Sequence, residues 1–145
     1  MTGFKNVAAF KKKLKKRLEK DASGNIKTAM VRSTNAVRDK VISSISRTGT
    51  GNERPPPKKG RASAAGQPPA TDSGVLRSNI STNLVVEKNA LIGQIIAYAP
   101  RKNGNYALDL EFGTRNMEAR PFMQPALNDS AKKISSIFKE EGVIQ

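Results

Sequence analysis

The chain contains no cysteine, no histidine and no tryptophan, and acidic residues number only 12 in 145. Without cysteine there is no disulfide, no thiolate nucleophile and no zinc–cysteine site, and the composition suits manufacture in a reducing cytosol. Without histidine as well, the common transition-metal ligands are missing, and so is the usual general base near neutral pH. No nucleophile, base and orienting group can be named together. Asp109 and Glu111 stand two residues apart and would point to different sides of a helix, whereas paired acid/base carboxylates must converge on one bond. The expected work of Glu111, Glu118 and Asp129 is pairing with Arg115, Arg120 or an arginine of a neighbour. The chain reads as non-enzymatic, with no metal and no cofactor.

Long apolar runs are missing too. The longest candidate, 90–99, is broken by Gly93 and Gln94 and falls short of the roughly 20 residues a membrane crossing needs. The opening segment Met-Thr-Gly-Phe-Lys-Asn-Val-Ala-Ala-Phe passes straight into lysines, whereas a signal peptide places its charges before its apolar run. Neither export nor membrane insertion is expected. With 37% apolar and 5% aromatic residues, the core must be modest and built mainly from Leu, Ile, Val and Ala. At 145 residues it is one domain's worth of chain.

Positive charge is what the sequence has in excess: 26 Lys and Arg face 12 Asp and Glu, a net +14. Lys11, Lys12, Lys13, Lys15, Lys16 and Arg17 crowd one short stretch, while Phe4, Val7, Phe10, Leu14 and Leu18 recur at three- and four-residue steps. That spacing predicts an amphipathic helix with a cationic face. Such a face can be merely solvated, can meet DNA phosphates or an acidic protein surface, or can lie on a membrane surface; the lack of Trp weakens the last. The rhythm continues through Ile26, Met30, Val37, Val41 and Ile45, with Ser23-Gly24-Asn25 as its one interruption. Residues 1–47 therefore read as one long basic helix or two nearly collinear ones, about 60 Å if unbroken, more than a domain of this size needs for its core.

Residues 48–73 change character, with four glycines, Pro55-Pro56-Pro57, Pro68-Pro69 and no periodic apolar pattern. This reads as a long loop. Its cluster Arg54, Lys58, Lys59 and Arg61 suits electrostatic binding, and its Gly, Pro and Ser content equally describes a plain linker. No Gly-Lys-Ser/Thr ending makes it a P-loop.

Residues 74–145 switch period. Ile80, Thr82, Leu84 and Val86 alternate, Glu87-Lys88-Asn89 reads as a turn, and Ile92, Gln94, Ile96 and Tyr98 alternate with Leu91, Gly93, Ile95 and Ala97. This predicts a hairpin whose second strand is apolar on both sides, one facing the helices and one awaiting another chain or element. Pro100 to Asn105 reads as a loop, Tyr106 to Phe112 as a short helix, and Leu127, Ala131, Ile134, Ile137 and Phe138 as one side of a closing helix ending near Gly142. The expected fold is α+β: a long N-terminal helix, a small antiparallel sheet, and a short helix and C-terminal helix packed on the sheet, in a single domain.

Between the short and closing helices lies a corner, expected to be part of the rigid core of the subunit and built around Phe112 and Phe122. Glu111 and Phe112 end an amphipathic run, Gly113 is free to take a positive φ, and Thr114 can bond back to nearby backbone. Arg120 is pushed toward extended geometry by Pro121, Phe122 offers an apolar anchor, and Pro125 suits the opening turn of a helix, where a missing amide donor is tolerated.

Tyr106-Ala107, Glu111-Phe112-Gly113-Thr114, Ala119-Arg120-Pro121-Phe122 and Pro125-Ala126-Leu127, in that order, resemble a motif of the head-to-tail joining, or tail-completion, proteins of long-tailed bacteriophages. Upstream, Gly66-Gln67-Pro68-Pro69 and the stretch Thr71-Asp72-Ser73-Gly74-Val75-Leu76-Arg77-Ser78 resemble the family's approach to its first strand, with Asn79 as a small departure before Ile80. The resemblance spans roughly residues 60 to 140 and does not reach the basic first fifty. It implies a structural virion component made in the host cytoplasm: a homo-oligomeric ring, a hexamer by resemblance, placed in the neck between portal and adaptor proteins and the tail-terminator or tail-tube proteins. Genomic DNA would pass through it with at most non-specific contact. A small basic nucleic-acid-binding accessory protein is the alternative, although no stacking platform of interleaved basic and aromatic residues is visible.

Overall fold

Buried Ile26, Ala29, Ser33, Val37, Val41 and Ile45 recur every three or four residues, so a helix through them turns one continuous stripe inward. That helix is α1, Gly24–Ile45. The computed structural model describes residues 24–45, 48–88, 90–102 and 104–145. The basic run at Lys11 to Arg17, and with it the expectation of a helix through residues 1–23, lies outside the described residues.

After the 48–73 loop, a single helical turn, α2 (Val75–Ser78), leads into β1 (Ile80–Glu87). Antiparallel β2 (Ala90–Ala97) pairs with it from Ile80 opposite Ala97 to Glu87 opposite Ala90. Because paired residues share a face, Ile80, Thr82 and Leu84 point the same way as Ala97, Ile95 and Gly93, toward α1. Gly93 is where sheet and helix come closest: a Cβ there would stand 2.0 Å from Thr34 Oγ1. The segment expected to be a plain loop, Pro100 to Asn105, carries a minute ribbon of β3 (Pro100–Arg101) against β4 (Gly104–Asn105). Then come α3 (Tyr106–Phe112) and α4 (Met123–Glu140).

Two hydrophobic clusters show how these elements sit. Val37, Val41 and Ile45 of α1 join Ile80, Ala99, Ala107, Leu110, Phe122 and Ala126 in the larger one, while Ile26 and Ala29 meet Ile137 and Val143 in the smaller. The C-terminal half of α1 thus meets the start of α4 and its N-terminal half meets the end of α4, so the two helices run antiparallel. Arg32 bonding Glu140 at 2.8 Å and also Glu141, and Lys40 3.4 Å from Asp129, follow the same register along the exposed seam. With the hairpin packed on α1 as well, α1 is the element that joins sheet to closing helix.

The α4 stripe matches the expected one at Ile134, Ile137 and Phe138, which are buried or packed against the two clusters, and departs from it nearer the start of the helix. Leu127 is 45% exposed and Ala131 is exposed, whereas Ala126 and Ser130 are buried with Ile137. Small side chains at 126 and 130 let α4 lie close to α1, and the Ser130 hydroxyl is satisfied by donating to the Ala126 carbonyl at 2.7 Å. Hydrophobicity alone favours Leu127 over Ala126; close packing decides the other way.

Candidate functional site

The corner that joins α3 to α4 is built from residues far apart in the chain. Asn105 begins it as the N-cap of α3: its Oδ1 accepts from the amides of Ala99 (2.8 Å) and Ala107 (3.0 Å), and its Nδ2 donates to the Ala97 carbonyl at 3.0 Å. One side chain thereby ties the end of β2 to the start of α3. The Tyr106 amide adds a bond to the Ala99 carbonyl at 2.8 Å, while its side chain is partly exposed.

Helix α3 buries Ala107 and Leu110 and leaves Leu108 and Phe112, four residues apart on one face, in solvent. Phe112 is 78% exposed. This corrects the expectation that Phe112 belongs to the rigid core of the corner: on a two-turn helix whose inward face is claimed by Ala107 and Leu110, residue 112 falls on the outside. Gly113, at φ 76°, then reverses the chain. A Cβ at that position would lie 2.9 Å from both the Ala119 amide nitrogen and the Met117 carbonyl oxygen, so the turn needs glycine twice over. Thr114 and Met117 bond each other through their backbones at 2.8 and 3.3 Å, and the Thr114 hydroxyl accepts from the Asn116 amide at 3.3 Å.

The returning segment brings the Arg120 amide to the Leu110 carbonyl at 2.7 Å, and the Gly66 amide reaches the Ala119 carbonyl at 2.9 Å, stitching the preceding loop to the corner. Pro121 then sets Phe122, whose ring is 1% exposed and ranks among the largest fully buried side chains. Phe122 is also the N-cap of α4, a role its side chain cannot perform.

Glu111 performs it instead. Its carboxylate accepts from the amides of Phe122 (2.8 Å), Met123 (2.9 Å) and Gln124 (3.0 Å), and Pro125 next in line has no amide to satisfy. An anion at a helix N-terminus gains from the helix dipole as well as from the bonds. The expected arginine partner of Glu111 is therefore replaced by three backbone donors. Nothing local signals this: capping is usually supplied from within four residues, and here it comes from eleven residues upstream.

The 48–73 segment is neither a plain linker nor a free cationic surface. It folds back on itself, with the Gly51 amide donating to the Ala62 carbonyl at 2.8 Å, the Ala62 amide donating to the Asn52 carbonyl at 2.9 Å, and an isolated bridge between Glu53 and Arg61. The Thr71 hydroxyl donates to the last α1 carbonyl, Ile45, at 2.6 Å. Arg54, whose side chain is 14% exposed, donates to the carbonyls of Thr71 (3.1 Å) and Ala70 (3.2 Å) and stands 3.5 Å from Asp72; Lys58 bonds Asp72 at 2.7 Å; Arg61 donates to the Gly51 carbonyl at 2.7 Å. The Lys58 bond, with Arg54 nearby, holds the Asp72 carboxyl below its ordinary range against a smaller opposing effect of burial. Three of the four loop cations expected at a contact surface are thus employed in holding the loop, and Lys59 is exposed. A guanidinium that satisfies a loop's carbonyls looks in sequence like one that awaits a phosphate.

The second apolar side of the hairpin, expected to await a cover, is left open by the described residues. Ile92 and Ile96 of β2 and Tyr98 just beyond it are exposed, beside Ser81, Asn83 and Val85 of β1, and among the described residues no third strand pairs with either edge. Across their combined 16 residues β1 and β2 carry one charged side chain, Glu87.

Among the described residues no three acidic side chains gather as a metal would require, and no helix is long and apolar enough to cross a membrane. In comparisons with known proteins, no family model, no curated protein and no solved structure matches the chain.

Proposed function

We propose that this chain is a structural subunit of a bacteriophage neck, assembling as a homo-oligomeric ring between portal and adaptor proteins and the tail, with no catalytic role. The observation that carries the self-association is the open face of the hairpin. Chains of net charge +14 repel one another, and the surface on which two copies can meet with least repulsion is the one that carries almost no charge. The hairpin offers such a surface, along with two strand edges that no other described strand pairs and exposed Ile92, Ile96 and Tyr98. Exposed Leu108 and Phe112 on α3 add a second apolar contact.

The motif residues support the same reading in another way. Tyr106, Glu111, Gly113, Arg120 and Phe122 form one hydrogen-bonded and packed unit that has no reacting group in it, as suits a part that transmits position. Weak contacts repeated around a closed ring act together, so each needs little strength alone. Basic residues that face a channel in such a ring would attract phosphates diffusely and let DNA slide.

The test is light scattering on the purified chain, alone and mixed with portal, adaptor and tail-tube proteins, paired with a DNA-binding salt titration. A closed oligomer, or one formed on mixing, is expected, with DNA affinity negligible at moderate salt. A monomer that joins none of these proteins and binds DNA with steep salt dependence would replace this reading with that of the nucleic-acid accessory protein.

A further inference from the structure

Between the 48–73 loop and the body lies a cavity of about 560 Å³, within the roughly 300–1,000 Å³ usual for binding sites. Arg54, Lys58, Arg77, Arg101 and Arg120 line it, against Asp72 as the lining acid. Three of these cations are already paired, Arg54 and Lys58 with Asp72 and Arg101 with Asp109. Arg77 and Arg120 form no ion pair among the described residues. Two polar groups at the same cavity are also without partners: the Nε of Arg120 and the hydroxyl of Ser63, a residue only 5% exposed. A buried donor left unbonded costs free energy that a bound acceptor would recover.

We propose that this cavity is a docking site for a carboxylate carried on a short apolar segment of a partner protein. The uncompensated positive charge selects an anion, and arginine's planar fork matches a carboxylate with two parallel bonds. What selects a peptide over a nucleic acid is the rest of the wall. Ile45, Leu76, Ala99 and Leu110 make much of it apolar, suited to the flanking side chains of a peptide and ill suited to sugars and further phosphates. A DNA duplex presents a charge about every 1.7 Å along its axis and is met by a strip of cations, whereas these cations surround one recess. Tyr106 and Arg120, both in the corner motif, thereby gain a role beyond holding the turn, and the loop's internal bonds gain one in shaping the recess. The inference stands on the cavity alone and does not depend on ring formation.

The test is an amide-resolved NMR titration of the ¹⁵N-labelled full chain with acetyl-Leu-Glu-Leu-amide, its Leu-Gln-Leu counterpart and decathymidylate. The glutamate peptide is expected to shift the amides of Ser63, Gly66, Arg77 and Arg120 saturably, with the glutamine peptide at least about tenfold weaker. Arg77→Gln, a change at an exposed residue, is expected to weaken the glutamate peptide about tenfold while leaving the remaining spectrum in place. Arg120→Gln should do the same if the fold survives. No saturable shift up to about 5 mM peptide, an equal response to the glutamine peptide, or a response of the same amides to decathymidylate at lower concentration would each overturn the proposal.

Discussion

The Glu111 carboxylate accepts the Phe122 amide at 2.8 Å, while the Phe122 ring is buried in the larger core cluster. One residue's charge thus sets the start of α4 and the other's ring sets its depth. Two further amides, of Met123 and Gln124, depend on the same carboxylate. Glu111→Ala is expected to cost about 2 kcal/mol, and Glu111→Gln about 1 kcal/mol, since the amide keeps an acceptor and loses the charge. Denaturant unfolding measures both; a loss below about 0.5 kcal/mol for Glu111→Ala would remove the cap from the account.

The two phenylalanines of the corner should behave oppositely. Phe122→Ala empties a fully buried site and is expected to cost about 3 to 5 kcal/mol and to abolish soluble assembly. Phe112→Ser, at a position 78% exposed, is expected to change stability by less than about 0.5 kcal/mol. If its ring serves contact between copies, the same substitution lowers the oligomer fraction in light scattering. Equal melting temperatures for both variants would contradict the core described here.

Gly93→Ala drives a methyl group to within 2.0 Å of Thr34 Oγ1, and is expected to destabilise by about 1 to 3 kcal/mol. Thr34→Ala in the same chain removes that oxygen and should recover part of the loss, a coupling that a double-mutant cycle reads directly. Independent, additive effects would mean that sheet and helix do not meet at these two residues.

Ile96→Lys places a charge on the open hairpin face, where exposure of the native side chain leaves the monomer fold tolerant of it. The expected result is an unchanged far-ultraviolet circular dichroism spectrum with dissociation of the proposed ring. An intact ring would locate the interface elsewhere while leaving ring formation itself standing.

Acid should loosen the molecule at two surface carboxylates. Lys58 lowers the Asp72 pKa, and Arg32 with Ser136 lowers that of Glu140, so below the ordinary carboxylate range the unfolded chain binds more protons than the folded one. Their contribution is present above about pH 4 to 5 and is lost as pH falls through the lowered folded values. Denaturant midpoints should therefore drop from about pH 5 downward, and less so in Asp72→Asn, with the effect small because both groups are exposed. A midpoint independent of pH over that range would count against both pairs.

Much of this molecule follows from local pattern. Period-two alternation is enough to define the hairpin at 80–97, three- and four-residue spacing defines α1, and Gly113 and Pro121 define a turn, because each depends on backbone geometry and on which side of an element is apolar. Net charge and the lack of histidine and cysteine, likewise, are properties of composition alone. Only the tertiary structure decided that Glu111 caps a helix eleven residues on, that Phe112 stands outside while Phe122 lies inside, that Ala126 displaces Leu127 from the core, and that Arg54 serves its own loop. Each of these turns on which distant groups compete for the same space or the same hydrogen bond, and a linear pattern of residue types carries no term for that competition.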